Sequence, residues 1–270
     1  MSRDRRKPPK QKNSESQRVK LALLLSLLAL VSVTAASVAW FTIADFTKVY
    51  SMSMDITSGT NLRFDLDAHQ TFEEYVRVLT FQQIADRLKK DRGYDMRKKP
   101  LEPVTTANCE SFFYQDGRTV NVNSGAYLDF TLHFFATSDM YVHLTSANGS
   151  GEKDGTSITS SNRDLPGAMR ISFTIGQKTY VYEPDRSKTE TIGGITYFGL
   201  PASEKMELND DNNLFFLPKE TNQPVQVRVW LEGTDPACDD ALRAADYRIR
   251  LRFIGTDENN RILDGSQERQ

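Results

Sequence analysis

Hydrophobic residues recur at every second position over much of the chain after residue 45, which is the pattern of strands that bury one face. In residues 225–231 and 247–253 the odd-numbered positions are apolar, and arginines separate them in the second stretch. Strands of parallel sheets are covered on both faces and carry continuous apolar runs, so this alternation favours antiparallel sheets. We therefore predict a mainly β fold, a jelly-roll-like antiparallel β-sandwich.

One segment departs from this period and predicts a helical insertion. Thr71 and Glu74 have the spacing of a capping box, which marks the start of a helix. Apolar residues follow at helical spacing, and Gly93 is a stop signal. We predict one amphipathic helix over residues 72–91, inserted into the sandwich.

The first forty-five residues show neither the strand periodicity nor the helical periodicity. The 24 residues 21–44 carry no charge, and a helix of that length, at about 1.5 Å per residue, can cross a hydrocarbon core of about 30 Å. Residues 1–20 contain eight basic and two acidic residues, so the positive-inside rule places them in the cytoplasm. The predicted order is a basic cytoplasmic head at 1–20, a signal or transmembrane helix at 21–44, an extracellular domain at 45–264 and a polar tail at 265–270.

The same leader has the order of a secretory signal peptide: a basic stretch, a leucine-rich stretch and then small residues. Ser37 and Ala39 occupy positions −3 and −1 of a cut before Trp40. Cleavage would secrete the rest of the chain, whereas retention would leave it as an extracellular domain on the cell membrane. The sequence leaves both outcomes open, and it predicts that the N-terminus meets the membrane or a signal peptidase.

The composition is that of a globular chain, with 39% hydrophobic and 26% charged residues. The net charge of −2 conceals a basic head and an acidic body. Non-specific nucleic-acid binding needs a broad basic face, so the acidic body predicts that nucleic acid is not a partner. A basic run at residues 87–99 suggests contact with anionic polymers or lipid headgroups. The simpler interpretation of that run is a solvated face beside a helix C-terminus.

Recognisable catalytic motifs are missing from the sequence. It contains no H-E-x-x-H, G-x-S-x-G, G-x-x-x-x-G-K-[ST] or G-x-G-x-x-G, and we predict neither an enzyme nor a catalytic residue. His133 and His143 fall on strands that follow each other in the chain and could meet, with surface histidines as the alternative. We predict no zinc site and no resident cofactor.

Calcium is the one ion that the sequence suggests. Acidic residues cluster around Asp210 and Asp211, and again around Asp235 and Asp239, and carboxylate oxygens are ligands that Ca²⁺ prefers. Neither cluster matches the loop of an EF-hand, so plain solvated turns are the alternative.

The two cysteines, Cys109 and Cys238, are a single pair in a chain predicted to be exported, where disulfides persist. A disulfide between them would close a long loop and stabilise the domain. The sequence permits this bond without establishing that the two residues meet.

Two stretches resemble exported proteins of Gram-positive bacteria. The sequence A-W-F-T at residues 39–42, after a leucine- and alanine-rich leader, resembles the leader junction of the TasA/camelysin group, whose leaders are cut by a dedicated signal peptidase. The sequence V-W-L-E-G-T-D-P-A-C-D at residues 229–239 looks like the C-terminal hairpin of exported proteins with similar leaders. The resemblance implies a jelly-roll β-sandwich that assembles into fibres of the biofilm matrix by strand exchange, and some members of the group were classed as metallopeptidases.

The start of the mature chain suggests how such assembly would proceed. Trp40, Phe41, Ile43 and Phe46 are apolar and strand-prone. Once freed by cleavage, they could add to an exposed sheet edge of a neighbouring copy. The alternative is that they form the first strand or a juxtamembrane stalk of their own domain.

Three functions therefore compete. The first is a cell-surface or extracellular-matrix structural protein, which the leader and the predicted sandwich favour. The second is a single-pass, membrane-anchored extracellular binding domain, which the long uncharged segment favours. The third is a metallopeptidase, which rests on the resemblance alone because no metal-ligand motif accompanies it.

Overall fold

The structure of the protein is a computed structural model, in which the chain forms two compact units, Met1–Val49 and Tyr50–Gln270. The residues that it describes are 20–27, 52–58 (backbone only), 60–146, 155–201, 213–238 and 246–263.

In the first unit, residues 20–27 are helical, and their leucine side chains are exposed. Across the described ranges, no helix combines the length and the apolar character needed to cross a bilayer. The remainder of the predicted helix at 21–44 and the predicted cleavage junction between Ala39 and Trp40 lie outside those ranges.

The described part of the second unit contains fourteen strands and two α-helices. The strands are β1 (Met52–Ser58), β2 (Leu62–Asp65), β3 (Val78–Leu79), β4 (Pro103–Val104), β5 (Leu128–Ala136), β6 (Met140–Leu144), β7 (Ser157–Ser160), β8 (Met169–Ile175), β9 (Lys178–Tyr182), β10 (Glu190–Ile192), β11 (Ile195–Phe198), β12 (Asn213–Leu217), β13 (Gln223–Glu232) and β14 (Tyr247–Thr256). The helices are α1 (Phe81–Arg92) and α2 (Leu165–Ala168), and short 3-10 turns lie at Phe72–Glu74 and Val122–Ser124.

These strands form two sheets. Sheet A has the order β12-β6-β14-β1-β3, and β7 also pairs with β14. Sheet B has the order β10-β11-β9-β8-β13-β5-β2, and β4 also pairs with β13. The prediction of a mainly β fold is confirmed.

Alternation in the sequence becomes burial on one face of each sheet. On β14 the side chains of Tyr247, Ile249, Leu251 and Phe253 are buried, whereas Arg248 between them is exposed. Apolar side chains from β5, β8 and β13 of sheet B belong to the same hydrophobic cluster as those from β6 and β14 of sheet A. One core therefore joins the two sheets.

Aromatic rings form the centre of this core. The Phe253 ring of sheet A lies edge-on to three rings of sheet B, with centroid distances of 6.4 Å to Phe64, 5.1 Å to Phe134 and 5.7 Å to Phe173. All four side chains are fully buried. Since each edge-to-face pair adds about 0.5–1.5 kcal/mol to the free energy of burial, these contacts hold sheet A against sheet B.

The prediction of antiparallel sheets is correct for most strand pairs but not for all. β1 pairs with β14 in parallel, and so do β11 with β9 and β4 with β13. Alternation reports which face of a strand is covered, and it does not fix the direction of a neighbour that is distant in the sequence. No hairpin connects β1 to β14, so nothing local imposes an antiparallel arrangement on them.

The predicted helix over residues 72–91 is too long, because α1 begins only at Phe81. The capping box of Thr71 and Glu74 forms, with Thr71 N donating to Glu74 Oε2 at 2.9 Å, but it closes a single 3-10 turn. The residues that follow pair with strands: Val76 bridges to Phe64, and β3 pairs with β1.

The α-helix itself starts at a second capping box. Thr80 N donates to Gln83 Oε1 at 3.0 Å, and this bond satisfies one of the backbone donors that a helix start leaves free. Ile84, Ala85 and Leu88 lie on one face of α1 and are buried. The helix ends at Gly93, whose φ of 79° is a left-handed conformation that glycine adopts without strain.

A partial third layer covers the outer face of sheet B. Phe112 stacks on Tyr127 with a centroid distance of 4.0 Å and meets Trp230 edge-on at 5.4 Å. These rings, with Cys109 among others, form a second buried cluster. Alternation predicts an outward position for Trp230, yet this residue is buried because the chain between α1 and β5 folds over it.

Replacing Phe253 with alanine should lower the free energy of unfolding by about 3–5 kcal/mol, since the change removes a buried ring and leaves a cavity among three others. Urea denaturation of the full chain measures this loss. Phe216→Ala is the matched control, because Phe216 is 47% exposed and its removal should change the free energy by no more than about 0.5 kcal/mol. Equal losses in the two variants would contradict the role assigned to the Phe253 contacts.

Candidate functional site

Strand edges with unpaired backbone groups are the surfaces to which another chain can add. Sheet A ends at β12 on one side and at the two-residue β3 on the other. β3 pairs only with Ile56 and Thr57 of β1, so no described strand covers that edge of β1 between Met52 and Asp55. β12 pairs with β6 alone among the described strands.

β12 also exposes an aromatic side chain. Phe216 is paired with Tyr141 of β6, and the centroids of their rings are 5.2 Å apart. The side chain of Phe216 is half exposed, while Phe215 and Leu217 on either side are buried. The β12 edge therefore has one face anchored in the core and one face that carries accessible aromatic surface.

β1, the first strand along the chain, pairs in sheet A with β14, the last strand along the chain. Met52, the first residue of β1, is in register with Tyr247, the first residue of β14. The residues of the predicted assembly strand, Trp40, Phe41, Ile43 and Phe46, precede this entry point and lie outside the described residues.

Of the predicted calcium ligands, the structure describes Asp235 and leaves Asp210, Asp211 and Asp239 outside the described residues. Asp235 Oδ2 accepts a hydrogen bond from Arg170 Nη2 at 2.5 Å, and its Oδ1 accepts one from Ala237 N at 2.9 Å. Within the described ranges, no group of three or more His, Cys, Asp and Glu residues is placed to hold a metal ion. The carboxylate of Asp235 thus serves as the counter-ion of Arg170.

Arg170 belongs to a network of ion pairs in a surface cavity of about 330 Å³. Its Nε donates to Glu183 Oε1 at 3.0 Å, and the other oxygen of Glu183 accepts from Arg186 Nε at 2.6 Å. Arg186 also reaches Glu190 at 3.2 Å. The network ties β8 to the segment that follows β9, to β10 and to the turn after β13. No sequence motif predicts this network, because Arg170 and Asp235 are 65 positions apart.

Four of the seven basic residues in the predicted run form ion pairs, one of them Lys99, which lies 3.3 Å from Glu102. Arg87 lies 2.6 Å from Asp67, Arg92 lies 3.2 Å from Asp129, and Arg97 lies 2.6 Å from Asp95. The hydrogen bond from Arg87 holds the pKa of Asp67 below its usual value. The geometry favours a face with internal ion pairs over a broad surface for anionic polymers. Lys89, Lys90 and Lys98 stay exposed and form no direct ion pair with a described residue. The charge of Lys89 still acts on Asp95, and that of Lys90 acts on Asp67.

Asp129 fixes α1 to sheet B. This carboxylate on β5 is buried and accepts hydrogen bonds from Arg92 of α1 at 3.2 Å, from Arg228 of β13 at 3.3 Å, and from Gln226. Two guanidinium groups and an amide satisfy its oxygens, as a buried carboxylate requires.

The two histidines on consecutive strands do not meet. β5 belongs to sheet B and β6 to sheet A, so His133 and His143 lie in different sheets. His133 Nδ1 is 3.1 Å from Asn222 Oδ1, and the buried His143 has its Nε2 3.0 Å from Thr256 Oγ1. Adjacency in the chain was misleading because the turn after β5 crosses between sheets.

The disulfide that the sequence permits is not formed in the structure. Cys109 is buried in the second cluster, whereas Cys238 packs against the main core. Burial raises the pKa of the Cys109 thiol to about 11, so at neutral pH this thiol is protonated and a poor nucleophile.

Neither a family model, nor a curated protein, nor a solved structure matched the chain when it was compared with each. The likeness to the TasA/camelysin group consequently rests on residues 39–42 and 229–239, and it stays a prediction.

Replacing Arg170 with glutamine should lower the free energy of unfolding by about 1–3 kcal/mol, because it removes the counter-charge of the partly buried Asp235 and leaves Glu183 with Arg186 alone. Arg118→Gln is the matched control: Arg118 pairs with Asp116 at 2.7 Å, but its side chain is 75% exposed, and the loss should stay below about 0.5 kcal/mol. Urea denaturation of both variants compares the two pairs, and an unchanged Arg170→Gln variant would show that the network is not structural.

The free energy of unfolding should fall as the pH rises from about 9 to about 11, partly through Cys109. The unfolded chain ionises this thiol near its ordinary pKa of 9.0, whereas the folded chain keeps it protonated until about 11, so alkali favours unfolding. Denaturation of the wild type and of Cys109→Ser across this interval isolates the contribution of the thiol. Parallel pH profiles for the two proteins would contradict it.

Proposed function

We propose that the chain is an exported cell-surface or extracellular-matrix structural protein, built as a jelly-roll-like β-sandwich, that forms fibres by strand exchange. In this proposal the strand-prone segment at residues 40–50 of one copy adds to a free sheet edge of the next copy. The observation that carries it is the placement of β1. This strand follows the leader region directly, and no described strand covers one of its edges from Met52 to Asp55.

The physical basis of the proposal is the unpaired edge. Backbone N–H and C=O groups along an open strand accept an added strand at little steric cost. The added segment would supply backbone hydrogen bonds along its length. It would also bring large apolar side chains that become buried in the contact, those of Trp40, Phe41, Ile43 and Phe46. Each large apolar side chain that becomes fully buried contributes about 1.5–3 kcal/mol, so a few of them suffice for a durable contact between copies.

Cleavage of the leader decides whether this contact is available. A segment retained next to a membrane helix is held at the bilayer surface, while a segment that begins at Trp40 has a free end. The proposal therefore requires the cut between Ala39 and Trp40.

A second candidate is a single-pass, membrane-anchored extracellular binding domain. The run of 24 uncharged residues at 21–44 favours it, because that length suits a permanent membrane helix as well as it suits a signal peptide. The two candidates predict different forms of the same protein in the native host.

The first experiment is the intact mass of the protein from the culture medium and from the cell envelope of the native host. Fibre formation predicts a species that begins at Trp40 in the medium, and electron microscopy of that species should show filaments. A full-length species confined to the membrane would overturn strand exchange and support the anchored domain.

Ile43→Pro tests the strand itself. Proline removes a backbone donor and is poorly accommodated within a paired strand, so this variant should be secreted and cut at the same place yet form no filaments under the electron microscope. Gln267→Pro, in the predicted tail, is the control and should form filaments like the wild type. Filaments from correctly cut Ile43→Pro would rule out strand addition by this segment.

A further inference from the structure

A second surface of the domain is suited to contact between copies. A cavity of about 450 Å³ opens beside β12, at the ends of β6 and β14. Its walls include the aromatic side chains of Tyr141 and Phe216 and the carboxylates of Asp139, Asp257 and Glu258. We call it the acidic-aromatic cavity. None of the described residues that line it is basic.

Two of its three carboxylates accept hydrogen bonds from backbone N–H groups, and two of these donors belong to the cationic residues Lys219 and Arg261. Asp139 Oδ1 accepts a hydrogen bond from the backbone N–H of Lys219 at 2.7 Å. Asp257 Oδ1 accepts two from backbone N–H groups, those of Asn259 at 2.8 Å and Arg261 at 2.9 Å. These donors are neutral, and none of the three acids forms an ion pair with another described residue. A cation would thus meet three carboxylates.

The combination of ring faces and carboxylates selects the kind of cation. An ammonium group is attracted to the face of an aromatic ring and, at the same time, to carboxylates within a few ångström. The aliphatic stem of a lysine also packs on apolar surface while its charged end stays in a polar site. Phe216 offers such surface on the wall of the cavity, so a lysine side chain fits it well.

Exposed lysines are present on a distant part of the same domain. Lys89 and Lys90 lie in the last turn of α1, and Lys98 follows a few residues later. We call these three residues the lysine cluster. Arg87, Arg92 and Arg97 around them are held in direct ion pairs. Lys89 and Lys90 interact with Asp95 and Asp67 only at longer range, so the ammonium groups of the lysine cluster can take up a direct partner.

The lysine cluster and the acidic-aromatic cavity are too far apart to meet within one molecule. β5 begins near α1, through the Arg92–Asp129 pair, and ends at Ala136, three residues before Asp139. The seven steps from Asp129 to Ala136 span about 23 Å at about 3.3 Å per residue. In sheet A, α1 follows β3 at the edge opposite to β12.

We propose that the acidic-aromatic cavity of one copy receives the lysine cluster of a second copy. The contact joins two different surfaces, so copies can satisfy it twice in a symmetric pair or repeat it in a ring or an open row. It is small and electrostatic, and therefore weak and sensitive to salt. It goes beyond the proposed function, because it requires neither cleavage of the leader nor addition of a strand.

Carbodiimide cross-linking tests the contact, since this reagent joins a carboxylate to an amine only where the two touch. The full-length chain, in detergent solution, is prepared unlabelled and uniformly labelled with ¹⁵N, and the two are mixed in equal amounts. We expect linked peptides that join Asp139, Asp257 or Glu258 to a residue of the lysine cluster, half of them carrying one light and one heavy peptide. Their yield should fall several-fold when the ionic strength is raised from about 0.01 M to about 1 M, where charges more than about 3 Å apart are screened.

Charge reversal identifies the two surfaces. Glu258→Lys, and separately the double change Lys89→Glu with Lys90→Glu, should each reduce the yield several-fold. An equal mixture of these two variants should restore cross-linking in two forms. The unchanged cavity of one variant meets the unchanged lysines of the other, and the two altered surfaces meet each other with their charges exchanged; the second form is the diagnostic one. Glu110→Lys and Lys178→Glu alter exposed charges elsewhere and serve as matched controls. Phe216→Thr should reduce the yield without any change of charge, because it removes the ring.

Three results would overturn the proposal. The first is the absence of these links, the second is links found only within peptides of one isotope, and the third is an equal loss in the control variants. The leader is intact throughout this experiment, so the absence of cross-links would not contradict strand exchange. Likewise, loss of filaments in Ile43→Pro would not contradict the contact between the lysine cluster and the acidic-aromatic cavity.

Discussion

The contact between the Phe253 ring and the rings of Phe64, Phe134 and Phe173 fixes sheet A on sheet B, and the positions of the other features follow from it. Phe253 belongs to β14, which pairs with β1, β6 and β7. Holding β14 in place therefore also fixes the point at which the chain enters β1 and the edge that β12 presents. Phe134 belongs to β5, whose length sets the separation between the lysine cluster and the acidic-aromatic cavity. A loss of packing at these rings would move both candidate surfaces together.

How much of this the sequence predicts depends on whether a feature is local. The alternation of β14 predicts its buried face correctly, because each strand repeats its own pattern whatever its neighbour. The same local reasoning fails between Thr71 and Thr80. The first capping box is real, but Val76 and Leu79 find backbone partners on β2 and β1, and this pairing outweighs a modest preference for helix. Two successive capping boxes in the sequence are the signal that could have located the true start of α1.

The ion pairs lie beyond sequence reasoning for a different reason. Arg170 meets Asp235, and Asp129 meets both Arg92 and Arg228, at separations that no motif encodes. The sequence supplies the charges at outward strand positions, while the pairing of strands decides which of them face each other. The third layer also lies beyond sequence reasoning. Phe112 and Tyr127 are aromatic residues in a stretch of mixed composition, and only the fold shows that they cover Trp230.

The different roles of arginine and lysine explain why two surfaces of the acidic domain differ in charge. A guanidinium group forms several hydrogen bonds in a fixed plane and suits ion pairs inside a fold, whereas an ammonium group is strongly hydrated and stays in solvent at less cost. In this domain the arginines of the basic run form direct ion pairs and three lysines do not, so exposed ammonium groups lie beside α1 while carboxylates without a direct ion pair lie beside β12. In the proposed assembly the lysine contact would form quickly and dissociate quickly, yet it would raise the local concentration of copies around one another. Strand addition is slower, because it orders a segment of chain, and it gains from partners that are already aligned. Under the two proposals, a protein that kept its leader would retain the first contact and lack the second, so a single cleavage would separate loose association of copies from fibre formation.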